Sequence, residues 1–148
     1  MRRYIEVPFR LLNIEEEGFH VLIKGKINDM EANFLIDTGA SRSVFSLRVV
    51  ERLMGKDSLE KKEGITAGVG GDDLESFVFP MERLELGEVC LYDYQAVALD
   101  LDSIHDNYEK LGLPFIDGVI GGDLLVELKA TINYRLRKIR LTPPRRRR

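Results

Sequence analysis

Apolar positions along the chain come in short runs with a period near two, and a glycine or a polar turn interrupts most runs before they reach helical length. "YIEVPFRLLNI" and "HVLIKGKI" alternate in part and are separated by the acidic, glycine-bearing "EEEG", the pattern of two strands joined by a turn. "KINDMEANFLID" predicts a hairpin turning at Asn28-Asp29, residues that tolerate a left-handed backbone. "SLRVVERLMGK" breaks the rhythm, because Leu47, Val50 and Met54 stand at i, i+3 and i+7. It predicts a short helix with Ser46 as its cap and Gly55 as its stop. "ITAGVGGDDLESFVFP" reads as two extended arms around Gly68, Gly70 and Gly71, and "RLELGEVCLYDYQAVALDL" as a hairpin about Gly87. "SIHDNYEKLG" predicts a helix closed by Gly112, "DGVIGGDLLVEL" a brief strand, a Gly-Gly turn and helical turns from about Asp123, and "KATINYRLRKIRL" a last hairpin. Many short strands with glycine turns and only brief helices predict an all-β, mainly antiparallel domain.

Two of these segments echo each other. "FLIDTGAS" and "DGVIGGDL" both run an apolar strand into a glycine-bearing turn, one in each half of the chain. Two similar halves packed about a local two-fold would produce this.

Length and charge narrow the picture. The 148 residues make about one domain, assigned to residues 1–142, with 143–148 as a basic tail. Residues 135–148 hold eight of the 22 basic residues and none of the 25 acidic ones, so residues 1–134 carry 14 basic against 25 acidic, a net −11. An acidic body argues against general nucleic-acid binding, which wants a basic face on the folded part. The Arg145–Arg148 run is the one place for such a contact, or for tethering to an acidic partner. Otherwise it reads as a solvated, disordered end. One cysteine, Cys90, rules out an intrachain disulfide framework. The N-terminal "MRRYIEVPFR" meets Glu6 and Pro8 too soon for a secretory segment, and no apolar run approaches the roughly eighteen residues of a membrane span. The expected setting is cytoplasmic and reducing.

The candidate chemistry is carboxylate chemistry. Two histidines, His20 at a strand start and His105 on an expected surface helix, read as structural, and with one cysteine they leave no metal-ligand pattern. No metal and no cofactor is expected. Ser41, Ser43 and Ser46 have no neighbouring base that would make them nucleophiles, so turn or cap duty is their reading. Asp37 is different: it ends the apolar run Phe34-Leu35-Ile36 and is followed by Thr38, Gly39 and Ala40. Two aspartates held about 3 Å apart cannot both ionise, so one acts as base while the other keeps the shared proton and acts as acid. No second Asp-Thr/Ser-Gly occurs in the chain: Asp117-Gly118 lacks the hydroxyl, and Asp123 follows its glycines. A dyad therefore calls for two chains, each giving one Asp37 across a two-fold axis.

"FLIDTGAS", followed much later by "GVIGGDLL", resembles the retroviral-type (retropepsin-like) aspartic protease family over residues 5–142. That family pairs an Asp-Thr/Ser-Gly-Ala/Ser loop with a downstream hydrophobic-hydrophobic-Gly turn leading into a short helix. The resemblance implies a closed, barrel-like β fold with one to three short helices, active as a symmetric homodimer that takes a polypeptide in extended conformation. It makes Asp37 similar to the catalytic aspartate, Thr38 to a residue bonding across the dimer, and Gly39 to a close-approach glycine, with Ala40 completing the loop. Val119, Ile120 and Gly121 match the second turn, and Gly68, Val69, Gly70 and Gly71 resemble a flap over the substrate. Asp123 is assigned only the helix-start duty of an aspartate near exposed N–H groups. The implied function is an aspartic endopeptidase with a pH optimum below neutrality; the alternative is a non-catalytic peptide-binding or dimerisation module on the same fold.

Overall fold

The computed structural model describes residues 3–14, 18–55, 60–62 and 75–144. Strands come in the order β1 (Ile5–Pro8), β2 (Arg10–Asn13), β3 (Phe19–Ile27), β4 (Met30–Ile36) and β5 (Val44–Ser46), before helix α1 (Leu47–Met54). Then follow β6 (Glu60–Lys62), β7 (Ser76–Leu86), β8 (Val89–Leu99), α2 (Asp102–Lys110), β9 (Gly118–Ile120), α3 (Gly122–Glu127), β10 (Thr131–Asn133) and β11 (Lys138–Leu141).

One sheet runs β2-β3-β4-β9-β5-β8-β7-β6, and an added β3–β7 pairing closes it on itself. Closure is possible because β3 is long enough to serve two partners on one edge: Phe19–Leu22 pair with β2, and Gly25–Ile27 pair with β7. Gly25 is the closest approach, since a Cβ there would sit 1.8 Å from the Glu85 carbonyl oxygen. Most pairings are antiparallel; β4–β9 and β5–β8 are parallel. A second, three-stranded sheet, β1-β11-β10, packs against the barrel through Val7, Ile139 and Leu141.

Two apolar clusters explain why the strand before Asp37 reads as a continuous run. Phe34 and Ile36 face the barrel interior with Ile23, Phe45 and Phe79, whereas Leu35 faces a second cluster with Leu22, Val44, Val119 and Tyr108 of α2. Successive side chains alternate faces, so a strand covered on both sides needs apolar residues at every position.

Among the described residues, four turns and stops stand where Asn28 and the glycines predict them. Asn28 (φ 53), Gly55 (φ 78), Gly87 (φ 59) and Gly112 (φ 69) are all left-handed. One expectation changes and one gains detail. The Ser46 hydroxyl precedes α1 but makes no cap hydrogen bond; it is buried and unpartnered instead. His105 is structural, as read, and points to the inner side of its helix: it is 6% exposed, donates Nε2–H to the Ile116 carbonyl (2.5 Å) and stacks on Phe115 at 3.8 Å. Helix α2 rests on the second cluster by the face that carries His105 and Tyr108 and leaves Ser103, Asp106, Asn107, Glu109 and Lys110 exposed. The Arg145–Arg148 run and the expected flap residues lie outside the described residues.

Candidate active site

The two echoing segments are neighbours in the barrel. β4 and β9 lie parallel with Leu35 opposite Val119 and Ile36 opposite Ile120, so both glycine turns emerge at the same end. The ladder continues one residue further, because the Asp37 N–H donates to the Ile120 carbonyl at 2.9 Å. Asp37 then opens a turn. Its carbonyl accepts the Ala40 N–H (3.2 Å), and its Oδ1 accepts the Gly39 N–H (2.9 Å), the local bond by which an aspartate shapes the backbone after it. A Cβ on Gly39 would lie 3.3 Å from that same Oδ1, tighter than ordinary contact. Asp37, Thr38 and Gly39 are exposed, and Ala40 is buried beneath them.

The second turn locks this loop from below. Gly122 N–H donates to the Ala40 carbonyl (2.7 Å) and Asp123 N–H to the Ser41 carbonyl (3.2 Å). Gly121 has no room for a side chain: a Cβ would meet the carbonyl oxygens of Ala40 at 2.6 Å and Arg42 at 2.8 Å. Asp123 bonds the N–H of Leu124 in its own helix (2.8 Å), as its position at a helix start predicts, and the same Oδ1 also accepts the N–H and the hydroxyl of Ser43. Ser43, read from sequence as turn or cap material, thus adds a side-chain link to the backbone bonds that join the two turns. Its signal in the sequence is faint: a small hydroxyl immediately before the apolar Val44-Phe45.

Of the predicted residues, the structure brings together Asp37, Thr38, Gly39 and Ala40 with Ile120 and Gly121. Val119 is buried on the opposite face of β9, in the second cluster. Gly68, Val69, Gly70 and Gly71 fall outside the described residues.

Neither of the other carboxylates in these segments is offered to Asp37. Asp117 accepts the Asn33 N–H (2.7 Å) at the middle of β4, four residues or about 13 Å along the strand from Asp37. Burial pushes its carboxyl above the usual aspartate range, opposed by the bond from Asn33 and by the charges of His105 and Arg52. Asp123 is engaged by three donors. Beside it, burial pushes the Tyr94 hydroxyl above the usual tyrosine range, helped by the negative charges of Asp123 and Glu127 and opposed by Arg42. Among the described residues there is no cluster of three metal-ligating side chains, and no helix is long and apolar enough to cross a membrane. A cavity of about 650 Å³ lies elsewhere: Arg10, Lys24, Glu31 and Glu85 border it around the barrel closure, and no residue of the Asp37 loop lines it.

A profile of the family described as aspartyl protease matches residues 23–124, from β3 into α3. Among solved structures, the chain is similar to a retropepsin-like aspartic protease from Rickettsia conorii, with 15% identity, 97% of each chain covered and a TM-score of 0.56. It is also similar to the retroviral protease-like domain of Ddi1 from Leishmania major, with 18% identity, 78% of this chain and 82% of that one covered, and a TM-score of 0.52. The EIAV protease complexed with the inhibitor HBY-793 gives 23% identity over 76% of this chain and 90% of that one, with a TM-score of 0.51. These likenesses show the retropepsin fold. A search of curated proteins by sequence found no significant match.

Proposed function

The chain belongs to the aspartyl protease family, and from that premise we propose that it is an aspartic endopeptidase, active as a symmetric homodimer with Asp37 of each copy at the two-fold axis. One observation carries the reading: a buried strand ends in an exposed carboxylate, Asp37, whose loop is hydrogen-bonded at Asp37, Ala40 and Ser41 to the second turn. Such rigid support is what a reacting group needs. Of the two other carboxylates in these segments, Asp117 is too distant and Asp123 is held by Ser43 and Leu124, so in this reading the second carboxylate comes from the partner. The exposure of Thr38 and Gly39 is what an interface-forming loop leaves uncovered in a single copy.

In this mechanism a water sits between the two Asp37 carboxyl groups, which share one proton because like charges so close cannot both ionise. The ionised one takes a proton from the water, and the oxygen adds to the carbonyl carbon of an extended peptide. The other gives its proton toward the departing amide nitrogen as the C–N bond breaks. The pair then holds one proton again, with no covalent intermediate. The apparent titration belongs to the pair, and activity declines once the upper step is passed on the alkaline side. In the same reading residues 1–142 are the protease domain, residues 143–148 a basic tail, and the setting cytoplasmic.

The experiment is cleavage of an unfolded protein followed by mass spectrometry over several pH values, with sedimentation equilibrium in parallel. Asp37→Asn should lower the rate by at least about 10²- to 10⁴-fold, the share of general acid–base catalysis, while leaving fold and dimer intact. Full activity in that variant, or a strictly monomeric active protein, refutes the proposal. Peptide binding without cleavage at any pH would select the alternative, a binding module.

A further inference from the structure

Loop 37–43 leaves β4 and returns as β5, and its last residue is held more elaborately than a turn requires. Ser43 is 1% exposed. Its hydroxyl accepts the Gly121 N–H at 2.9 Å and donates to Asp123 Oδ1 at 2.7 Å, while its own N–H donates to that oxygen at 2.9 Å. The direction is fixed. An N–H can only donate, so the hydroxyl hydrogen is left for the carboxylate, and the chain runs Gly121 N–H to Ser43 Oγ–H to Asp123 Oδ1. Bonds to an ionised acceptor are stronger than neutral ones, and each side-chain partner is buried or part-buried.

Loop and turn also touch without slack, as the 2.6 and 2.8 Å distances at Gly121 record. A shift at Ser43 therefore passes along six residues to Asp37 rather than being absorbed. We propose that Ser43, anchored by Asp123, is a positioning residue for the Asp37 carboxylate: the clip fixes where the loop stands on the second turn. This rests on the endopeptidase reading for its catalytic consequence, but not for its structural one.

The test uses the full chain as its native dimer, with Ser43→Ala, Asp123→Ala and the conservative Asp123→Asn, which keeps an oxygen acceptor. Peptide cleavage gives kcat and KM, and amide exchange followed residue by residue reads Gly39, Ala40 and Gly121. Ser43→Ala and Asp123→Ala should lower kcat by about 10- to 100-fold with KM within about twofold, since misplacement of about 1 Å costs that order of rate. Asp123→Asn should recover most of the loss. Exchange at the three amides should quicken by about tenfold, roughly one lost hydrogen bond, with β7 and β8 amides unchanged. Wild-type kcat in both alanine variants, or a uniform rise in exchange across the barrel, overturns the proposal. If the wild-type protein cleaves no peptide, the endopeptidase reading fails alone, and unaltered exchange at Gly39, Ala40 and Gly121 in Ser43→Ala still refutes the clip.

Discussion

Gly121→Ala isolates the contact between the Asp37 loop and the turn beneath it. Gly121 has φ −106 and ψ −169, extended backbone open to any residue, so the substitution adds volume without backbone strain. The added Cβ would lie 2.6 Å from the Ala40 carbonyl oxygen, where ordinary contact begins at 3.4 Å, so that group must retreat by about 0.8 Å. The same oxygen accepts the Gly122 N–H at 2.7 Å, and a retreat of that size stretches the bond past the usual range of about 3.2 Å. Overpacking costs about 1–3 kcal/mol and the weakened bond about 1 kcal/mol, so the expected destabilisation is about 2–4 kcal/mol. Gly122→Ala is the control. Its Cβ would meet the Ala40 oxygen at 3.5 Å, ordinary contact, at the first residue of α3, so it should stabilise by about 0.5–1 kcal/mol. Urea unfolding of both variants at matched protein concentration measures the difference, the matching keeping the proposed self-association from shifting apparent stability. A Gly121→Ala protein within about 0.5 kcal/mol of wild type, the scatter of neutral substitutions, would refute the reasoning, as would equal damage from Gly122→Ala.

Gly25→Ala should destabilise by about 3 kcal/mol, the upper end of the usual overpacking cost, because its Cβ would fall 1.8 Å from the Glu85 oxygen at the β3–β7 closure; a near-wild-type urea midpoint would count against barrel closure there. Asp117→Asn should change the pH dependence of stability. Burial raises the folded carboxyl above its ordinary 3.8, so the folded state holds the proton more tightly than the unfolded one. The wild-type contribution is therefore greatest below 3.8 and is lost as pH rises through the raised value. The variant keeps an acceptor for the Asn33 N–H and does not titrate, so it should gain on wild type across that window. A difference constant from pH 4 to 8 would exclude the effect.

The strands were legible because a sheet with covered faces leaves a period-two or continuous apolar record, and the turns because left-handed positions demand glycine or asparagine. The echo of "FLIDTGAS" and "DGVIGGDL" was legible too, as was Asp37 as the odd residue in its run. That His105 stands on the buried side of its surface helix was not legible, because a nine-residue helix with mixed polarity does not state which side meets the barrel; only the Leu22-Val119-Tyr108 cluster decides that. Ser46 looked like a cap because hydroxyls before helices usually are, yet packing of β5 against β8 and β9 turned its side chain inward.

Sequence alone therefore determined most of the longer described elements, the all-β class and the aspartate that stands out, since these depend on local periodicity and backbone preference; β5 and β6 and the break between β1 and β2 were not read from it. The tertiary structure alone decided that β4 and β9 lie side by side, that the barrel closes at Gly25, and that Ser43 bridges to Asp123 across eighty residues of chain. Those contacts depend on which segments meet in space, and no local pattern of residues encodes the partner at the other end.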